Sequence, residues 1–259
     1  MDMNLGFLPF LNRLEKAALK AVEAEVEWFC LPAGQTLFEA GDPADAFYLV
    51  RSGALAAFRT GADGRPELVG HIRAGEPIGE MALVEDRPHS ANIYALRDSE
   101  LIRLPKAAFE KLTRRHASLM RELARMMLFR LRGGTLRSKA EPRVFALIST
   151  SPTIDLALRS RQLKDALIAL GRSCTIIGEE GDVIPPSQLD EAERTGDIVI
   201  LTARLNDVSW ARQAIGRADR VWLLARGDAR PSLPILPEDP SPAAKLRLID
   251  VLLLHHGGS

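Results

Sequence analysis

Residues able to do chemistry are sparse in this chain, and one stretch concentrates them. The five histidines, His71, His89, His116, His255 and His256, stand at no spacing that builds a triad or a metal site. Cys30 and Cys174 are the two cysteines. They imply neither a disulfide framework nor a metal motif, and a reducing compartment is the default. Acidic residues are dispersed, with no pair readable as acid and base. The nucleophile elbow G-x-S-x-G is absent. The loop Ser149-Thr150-Ser151-Pro152-Thr153 lacks a glycine that would let a pyrophosphate approach and lacks the lysine of a P-loop. It reads as helix capping by hydroxyls. There remains the run Gly79-Glu80-Met81-Ala82-Leu83-Val84-Glu85-Asp86-Arg87-Pro88-His89-Ser90-Ala91-Asn92. A small anion is held by backbone N–H groups where a helix begins and by the planar fork of an arginine. His89 offers one donor and no fixed charge while neutral.

That run resembles the phosphate-binding cassette of cyclic-nucleotide-binding domains: G-E-(apolar)-A-L, four variable residues, then P-R-x-A-(S/T). The resemblance implies a ligand pocket formed by Gly79, Glu80, Met81, Ala82, Leu83, His89, Ser90, Ala91 and Asn92, with Glu80 on the ribose hydroxyl. Two positions depart from the pattern. His89 stands where the family has the arginine that grips the cyclic phosphate, and Asn92 replaces the last hydroxyl. A charge-assisted hydrogen bond contributes roughly 1.5–3 kcal/mol. Its loss weakens binding about 10- to 150-fold. Arg87, two residues away, is out of place for the family pattern. The pocket is therefore expected to be degenerate. No cofactor is expected beyond the cyclic nucleotide the cassette would once have held.

The elements that must position this run are legible. Leu11 to Val22 reads as a helix, with Leu11, Leu14, Ala18 and Val22 on one face. Short β-rich runs follow: Val26–Leu31, Gln35–Glu39, Ala46–Arg51, Ala54–Arg59, Glu67–Ile72, Ser90–Leu96 and Glu100–Leu104. Gly61-Ala62-Asp63-Gly64 reads as a hairpin tip. Gly41-Asp42-Pro43-Ala44-Asp45-Ala46-Phe47-Tyr48-Leu49-Val50-Arg51-Ser52-Gly53 is a second landmark of the same family. In it Tyr48 and Val50 fall on one strand face and Leu49 on the other. The expected fold is an antiparallel roll of short strands with flanking helices. Lys106–Arg115 and Ser118–Arg132 are the helices after it. The second has an apolar stripe at Leu119, Leu123, Met127 and Leu131, which serves either core packing or a homodimer seam. Arg114, Arg115, Arg121, Arg125, Arg130, Arg132, Arg137 and Lys139 make the region basic. This is either a solvated face or an attraction to anionic lipid.

Beyond Gly133-Gly134 strands and helices alternate. Arg143–Ser149, Ser173–Ile177, Asp197–Thr202 and Arg220–Ala225 read as strands. Asp155–Leu170, Ser187–Arg194, Asp207–Gly216 and Pro242–Leu254 read as helices. Leu156, Leu163, Leu167 and Leu170 share a face of the first, and Gly171 follows as its C′ residue. Ser187 and Asp190 stand at capping-box spacing, and Asn206-Asp207 with Trp210 caps and packs the third helix. Near-continuous apolar strands separated by helices imply a parallel sheet covered on both faces. The expected organisation is a cyclic-nucleotide-binding-type β-roll over residues 1–135 and a Rossmann-like parallel α/β domain over 140–255. The class is thus α+β followed by α/β.

Length and charge bound the function. The 259 residues suit two ordinary domains, and a formal net charge of zero argues against a nucleic-acid binder. The start lacks a signal peptide's basic region, and no apolar run is long enough to cross a bilayer. A cytoplasmic chain is expected, at most peripheral to the inner face of the membrane. Four segments resemble the regulatory region of bacterial patatin-like phospholipases, relatives of neuropathy target esterase: Glu141 to Ser149, Leu163 to Gly171, Trp210 to Leu224 and Leu252 to His256. The resemblance implies a patatin-type serine hydrolase domain as partner, in cis or as a separate protein. Its Gly-rich oxyanion loop and G-x-S-x-G serine are not found here. Gly257-Gly258-Ser259 looks like a linker, so a regulatory fragment or shortened member, itself no enzyme, is expected. One alternative is a genuine cyclic-nucleotide sensor that tolerates His89 and binds more tightly below about pH 6.5. Another is a regulator of transcription like the catabolite activator, which would need a helix-turn-helix after the roll.

Overall fold

The computed structural model describes residues 5–6, 8, 10–131, 142–178, 184, 186–205, 208–228, 241–246 and 248–255. The chain divides into two compact units, the first chiefly Met1–Ala140 and the second chiefly Glu141–Pro240 with Ala244–Ser259.

The first unit is an antiparallel roll. Its strands are β1 (Glu27–Leu31), β2 (Thr36–Phe38), β3 (Ala46–Thr60), β4 (Pro66–Arg73), β5 (Pro77–Ile78) and β6 (Asn92–Pro105). They pair in the order β1-β6-β3-β4, with β2 added to β6 and β5 to β3. The four runs expected at 46–51, 54–59, 90–96 and 100–104 are in fact two long strands. Bulges around Ser52 and Ala54 bend β3 against β6 without ending either. Gly53 sits in the bend at φ +101°, and a Cβ there would lie 2.2 Å from Ser99 Oγ. Only glycine fits.

Strand alternation sorts the two cores. Tyr48, Val50, Leu55, Ile93, Ala95 and Leu101 fill the roll interior. Phe47, Leu49, Ile102 and Leu104 face the other way, against helices. Those helices are α1 (Lys16–Glu23), α3 (Lys106–Arg115) and α4 (Ala117–Leu131), while α2 (Glu80–Glu85) lies within the cassette. The first helix is shorter than the apolar spacing predicts. Leu11 and Leu14 are buried, but in tight turns closed by Leu11 N–H to Leu8 O and Leu14 N–H to Leu11 O. On α4, Leu119 and Leu123 are core residues and Met126, not Met127, packs beside them. Gly133-Gly134, Arg132, Arg137 and Lys139 lie outside the described residues.

The second unit is a parallel sheet ordered β11-β10-β7-β9-β8. Its strands are β7 (Val144–Ser149), β8 (Cys174–Ile177), β9 (Ile198–Arg204), β10 (Arg220–Arg226) and β11 (Leu248–Leu254). Helix α5 (Leu156–Ala169) covers one face through Leu156, Leu163 and Leu167. Helices α6 (Pro186–Thr195) and α7 (Val208–Arg217) cover the other, where Trp210 is 1% exposed. Leu170 departs from its expected face: it is the C-cap of α5 and 78% exposed, ahead of Gly171 at φ +76°. The hydroxyls of the 149–153 loop do not cap α5. Asp155 does, its Oδ1 accepting from Leu158 N–H at 2.9 Å, while Thr150 Oγ1 donates to Leu224 O. Asn206-Asp207 and the Ser187 side chain lie outside the described residues.

The expected helix Pro242–Leu254 is a correction. A 3-10 turn, Pro242–Leu246, leads into strand β11, which pairs in parallel with β10. An apolar run of this length has no period that separates helix from strand. The open edge of β10 decides it, together with Arg220, whose Nε and Nη2 donate to Asp250 at 2.5 and 2.9 Å, and Trp222 Nε1, which donates at 3.0 Å.

Candidate functional site

The cassette begins where β5 ends. Gly79 takes φ +82° as N-cap of α2, and a Cβ on it would stand 3.2 Å from His89 Cε1 and 3.3 Å from Ala46 O. The backbone angle favours glycine, and a Cβ would also press on the His89 ring. Glu80 follows, 2% exposed, and Leu83 packs into the core at 7%. Met81 and Val84 point outward, 48% and 46% exposed. Asp86 closes the helix in the left-handed region at φ 53°, where Asp is among the tolerated residues, and Lys106 Nζ meets its Oδ1 at 2.5 Å.

The two landmark segments, distant in sequence, meet here. His89 N–H donates to Asp42 O at 2.9 Å and Gly41 N–H donates to His89 O at 2.8 Å. Ala40 N–H donates to Asn92 Oδ1 at 2.6 Å. The Asn92 amide therefore locks the 39–42 turn to the end of the cassette. Ser90 and Arg87 are exposed, and Ala82, Ala91 and Asn92 are half-buried.

His89 is 5% exposed. Its ring stacks on Phe38 of β2, centroids 3.5 Å apart and planes 9° from parallel. Phe38 in turn meets Tyr48 at 5.9 Å, and Tyr48 meets Phe29 edge-on at 6.4 Å. An aromatic ladder thus runs from the cassette into the roll interior. Burial pushes the His89 imidazole below its ordinary value, against the opposing pull of Asp45 and Asp42. Around Tyr48, Arg103 donates to Asp45 at 2.9 Å and to Glu27 at 3.0 Å. These bonds, Asp45 foremost, raise the guanidinium's pKa, so its charge is fixed. Burial is the main cause that pushes the Tyr48 phenol up.

The sequence brought the cassette residues forward, but Phe38 carries no local signal. Its role appears only because β2 pairs with β6 and so passes over His89. Asp42 and Asp45 lie inside the second landmark and could have been read as neighbours of the cassette. Elsewhere, no group of three or more His, Cys, Asp or Glu among the described residues could hold a metal. Cys174 is buried, its thiol pushed up mainly by that burial, which leaves it a poor nucleophile. His256 lies outside the described residues.

Comparison with known proteins bears on this geometry. The family model described as cyclic nucleotide-binding domain matches residues 29–116. Lysophospholipase nte1 of Aspergillus terreus is 31% identical over 122 residues, 47% of this chain and 8% of that protein. Patatin-like phospholipase domain-containing protein 7 of Rattus norvegicus is 22% identical over 288 residues, 98% of this chain and 21% of that protein. The chain thus spans no more than about a fifth of the length of these relatives. Among solved structures, the catabolite activator protein of Thermus thermophilus is 30% identical with a TM-score of 0.45, covering 49% of this chain and 60% of that one.

Proposed function

We propose, from the premise that the first unit is a cyclic nucleotide-binding domain with lysophospholipases among its homologues, that this chain is a non-catalytic regulatory and docking module of a patatin-like serine lipid hydrolase. Its cassette no longer holds a cyclic phosphate. The observation that carries the reading is His89. It stands at the anion-gripping position, 5% exposed, with its ring stacked on Phe38 and its backbone bonded to Gly41 and Asp42. A neutral imidazole committed to that stack supplies no charge to a phosphate. Helix α2 spans 6 residues, so its dipole is a weak substitute for the missing fork. Glu80 is retained and buried, and by itself a carboxylate repels the ligand's phosphate.

Three further points support the regulatory role. The alignment with the rat phospholipase runs through both units, so the α/β unit accompanies the roll in that relative. The sequence has no G-x-S-x-G serine with which to hydrolyse an ester. The loop where an α/β sheet would bind phosphate is closed by the Asp155 carboxylate at the head of α5.

The test is calorimetric titration of the chain and of His89→Arg with cyclic AMP and cyclic GMP at neutral pH. The chain is expected to give no heat. The arginine variant is expected to gain affinity by about 10- to 150-fold, the worth of one charge-assisted bond. Tight binding by the unaltered chain would favour the sensor reading instead. Hydrolysis of a short-chain ester by the purified chain would sink the non-catalytic part.

A further inference from the structure

Among the described residues of its unit the outer face of α4 has no packing partner, and its chemistry is uneven. Ser118, Leu119, Glu122 and Leu123 are turned into the core. Met120, Ala124 and Leu128, spaced four apart, form an exposed strip, with Met120 43% and Leu128 52% exposed. Arg121 and Arg125 run along one side of the strip, and Arg114 and Arg115 stand at the corner where α3 ends. The lysines nearby are neutralised: Lys106 by Asp86 and Lys111 by Glu25. Arg114, Arg115 and Arg121 have no ion pair among the described residues. The one acid of α4, Glu122, is 8% exposed and accepts from Arg125 at 3.0 Å.

We infer that this face docks on an anionic membrane surface, the apolar strip entering the headgroup boundary while the arginines meet lipid phosphates and carboxylates. Charge complementarity selects this occupant over a second copy of the chain. A two-fold along α4 would set Arg121 beside its own counterpart, and Glu122, already engaged by Arg125 and Arg13, leaves that charge unbalanced. A lipid surface instead offers negative charge to every exposed guanidinium, and long arginine side chains reach it while their stems lie on the strip. No helix among the described residues is long and apolar enough to cross a membrane, so this contact is a surface one. It does not rest on the regulatory reading, since a cyclic-nucleotide sensor would carry the same face.

The experiment is co-sedimentation of the full chain with vesicles of phosphatidylcholine alone and with about three parts in ten phosphatidylserine. Binding is expected only to the anionic vesicles, and it should weaken as salt rises from about 0.05 M to about 0.3 M. Each arginine replaced by glutamine should weaken it about fivefold, so the triple variant R114Q/R115Q/R121Q about 100-fold. M120Q/L128Q should also lose binding, with the unfolding midpoint unchanged because both side chains are exposed. Three results overturn the inference. One is no binding to anionic vesicles at low salt, and a second is binding indifferent to these substitutions. The third is a dimer in sedimentation that L128Q dissolves, without vesicle binding.

Discussion

Replacing Gly53 by alanine tests whether the roll depends on one close approach. Gly53 has φ +101°, and the added Cβ would sit 2.2 Å from Ser99 Oγ and 2.6 Å from Ser99 Cα. Backbone strain at a positive φ costs about 1–3 kcal/mol. Forcing an extra carbon into a packed site adds about 1–3 kcal/mol. The sum, about 2–6 kcal/mol, is a large part of a domain's total of roughly 5–15 kcal/mol. Ser99 cannot swing clear, because its Oγ donates to Arg97 O at 2.7 Å and accepts from Ala54 N–H at 3.1 Å. Gly64→Ala separates the two contributions. Gly64 has φ +77° with nothing within 4 Å, so only backbone strain applies. Amide exchange read at Ala54 and along β6 reports the first unit without interference from the second. We expect Gly53→Ala to cost at least about 1 kcal/mol more than Gly64→Ala. A further change of Ser99 to glycine should restore only part, since the clash with the backbone at position 99 stays. Equal effects of the two alanines would refute the close approach.

Acidification tests the His89 stack. Its folded pKa lies below the ordinary 6.5, chiefly through burial. The fold therefore favours the neutral ring. That contribution is fully present above about pH 6.5 and is lost as pH falls through the folded value. Stability of the first unit should drop on acidification, and His89→Phe should flatten the profile. His71, also lowered mainly by burial, contributes to the same limb, so a flat wild-type limb, or one that His89→Phe leaves intact, counts against the stack. Asp250→Ala removes the acceptor shared by Arg220 and Trp222. Faster exchange of β11 amides is expected, with β7 and β9 unchanged, and unaltered β11 protection would show that edge pairing alone holds the strand. Trp210→Phe leaves Thr202 O without the Nε1–H donor it accepts from at 2.9 Å. The expected loss is about 1–3 kcal/mol in denaturant unfolding of the second unit, and a loss below that range would mean the carbonyl finds another donor.

Much of the architecture is written locally. Lys106–Arg115 is the helix that Pro105 and its spacing predict. Alternation places Tyr48 and Val50 in the roll interior and Leu49 on the helix side. The apolar runs at Val144–Ser149 and Ile198–Arg204 are parallel strands buried by helices on both faces. Each of these depends on neighbours within a turn or a strand, where periodicity and glycine placement act. The features for which the sequence reading failed depend on partners far along the chain. Leu248–Leu254 is a strand because β10 offers an open edge and Arg220 a counter-charge. The runs on either side of Gly53 join into one strand because β6 pairs with both. The same holds at the cassette. That a histidine stands where the cassette pattern this run resembles has an arginine is plain in the sequence. That its ring lies buried on Phe38, with its backbone bonded to the 41–42 turn, follows only from the β2–β6 pairing that brings these distant stretches of the chain together.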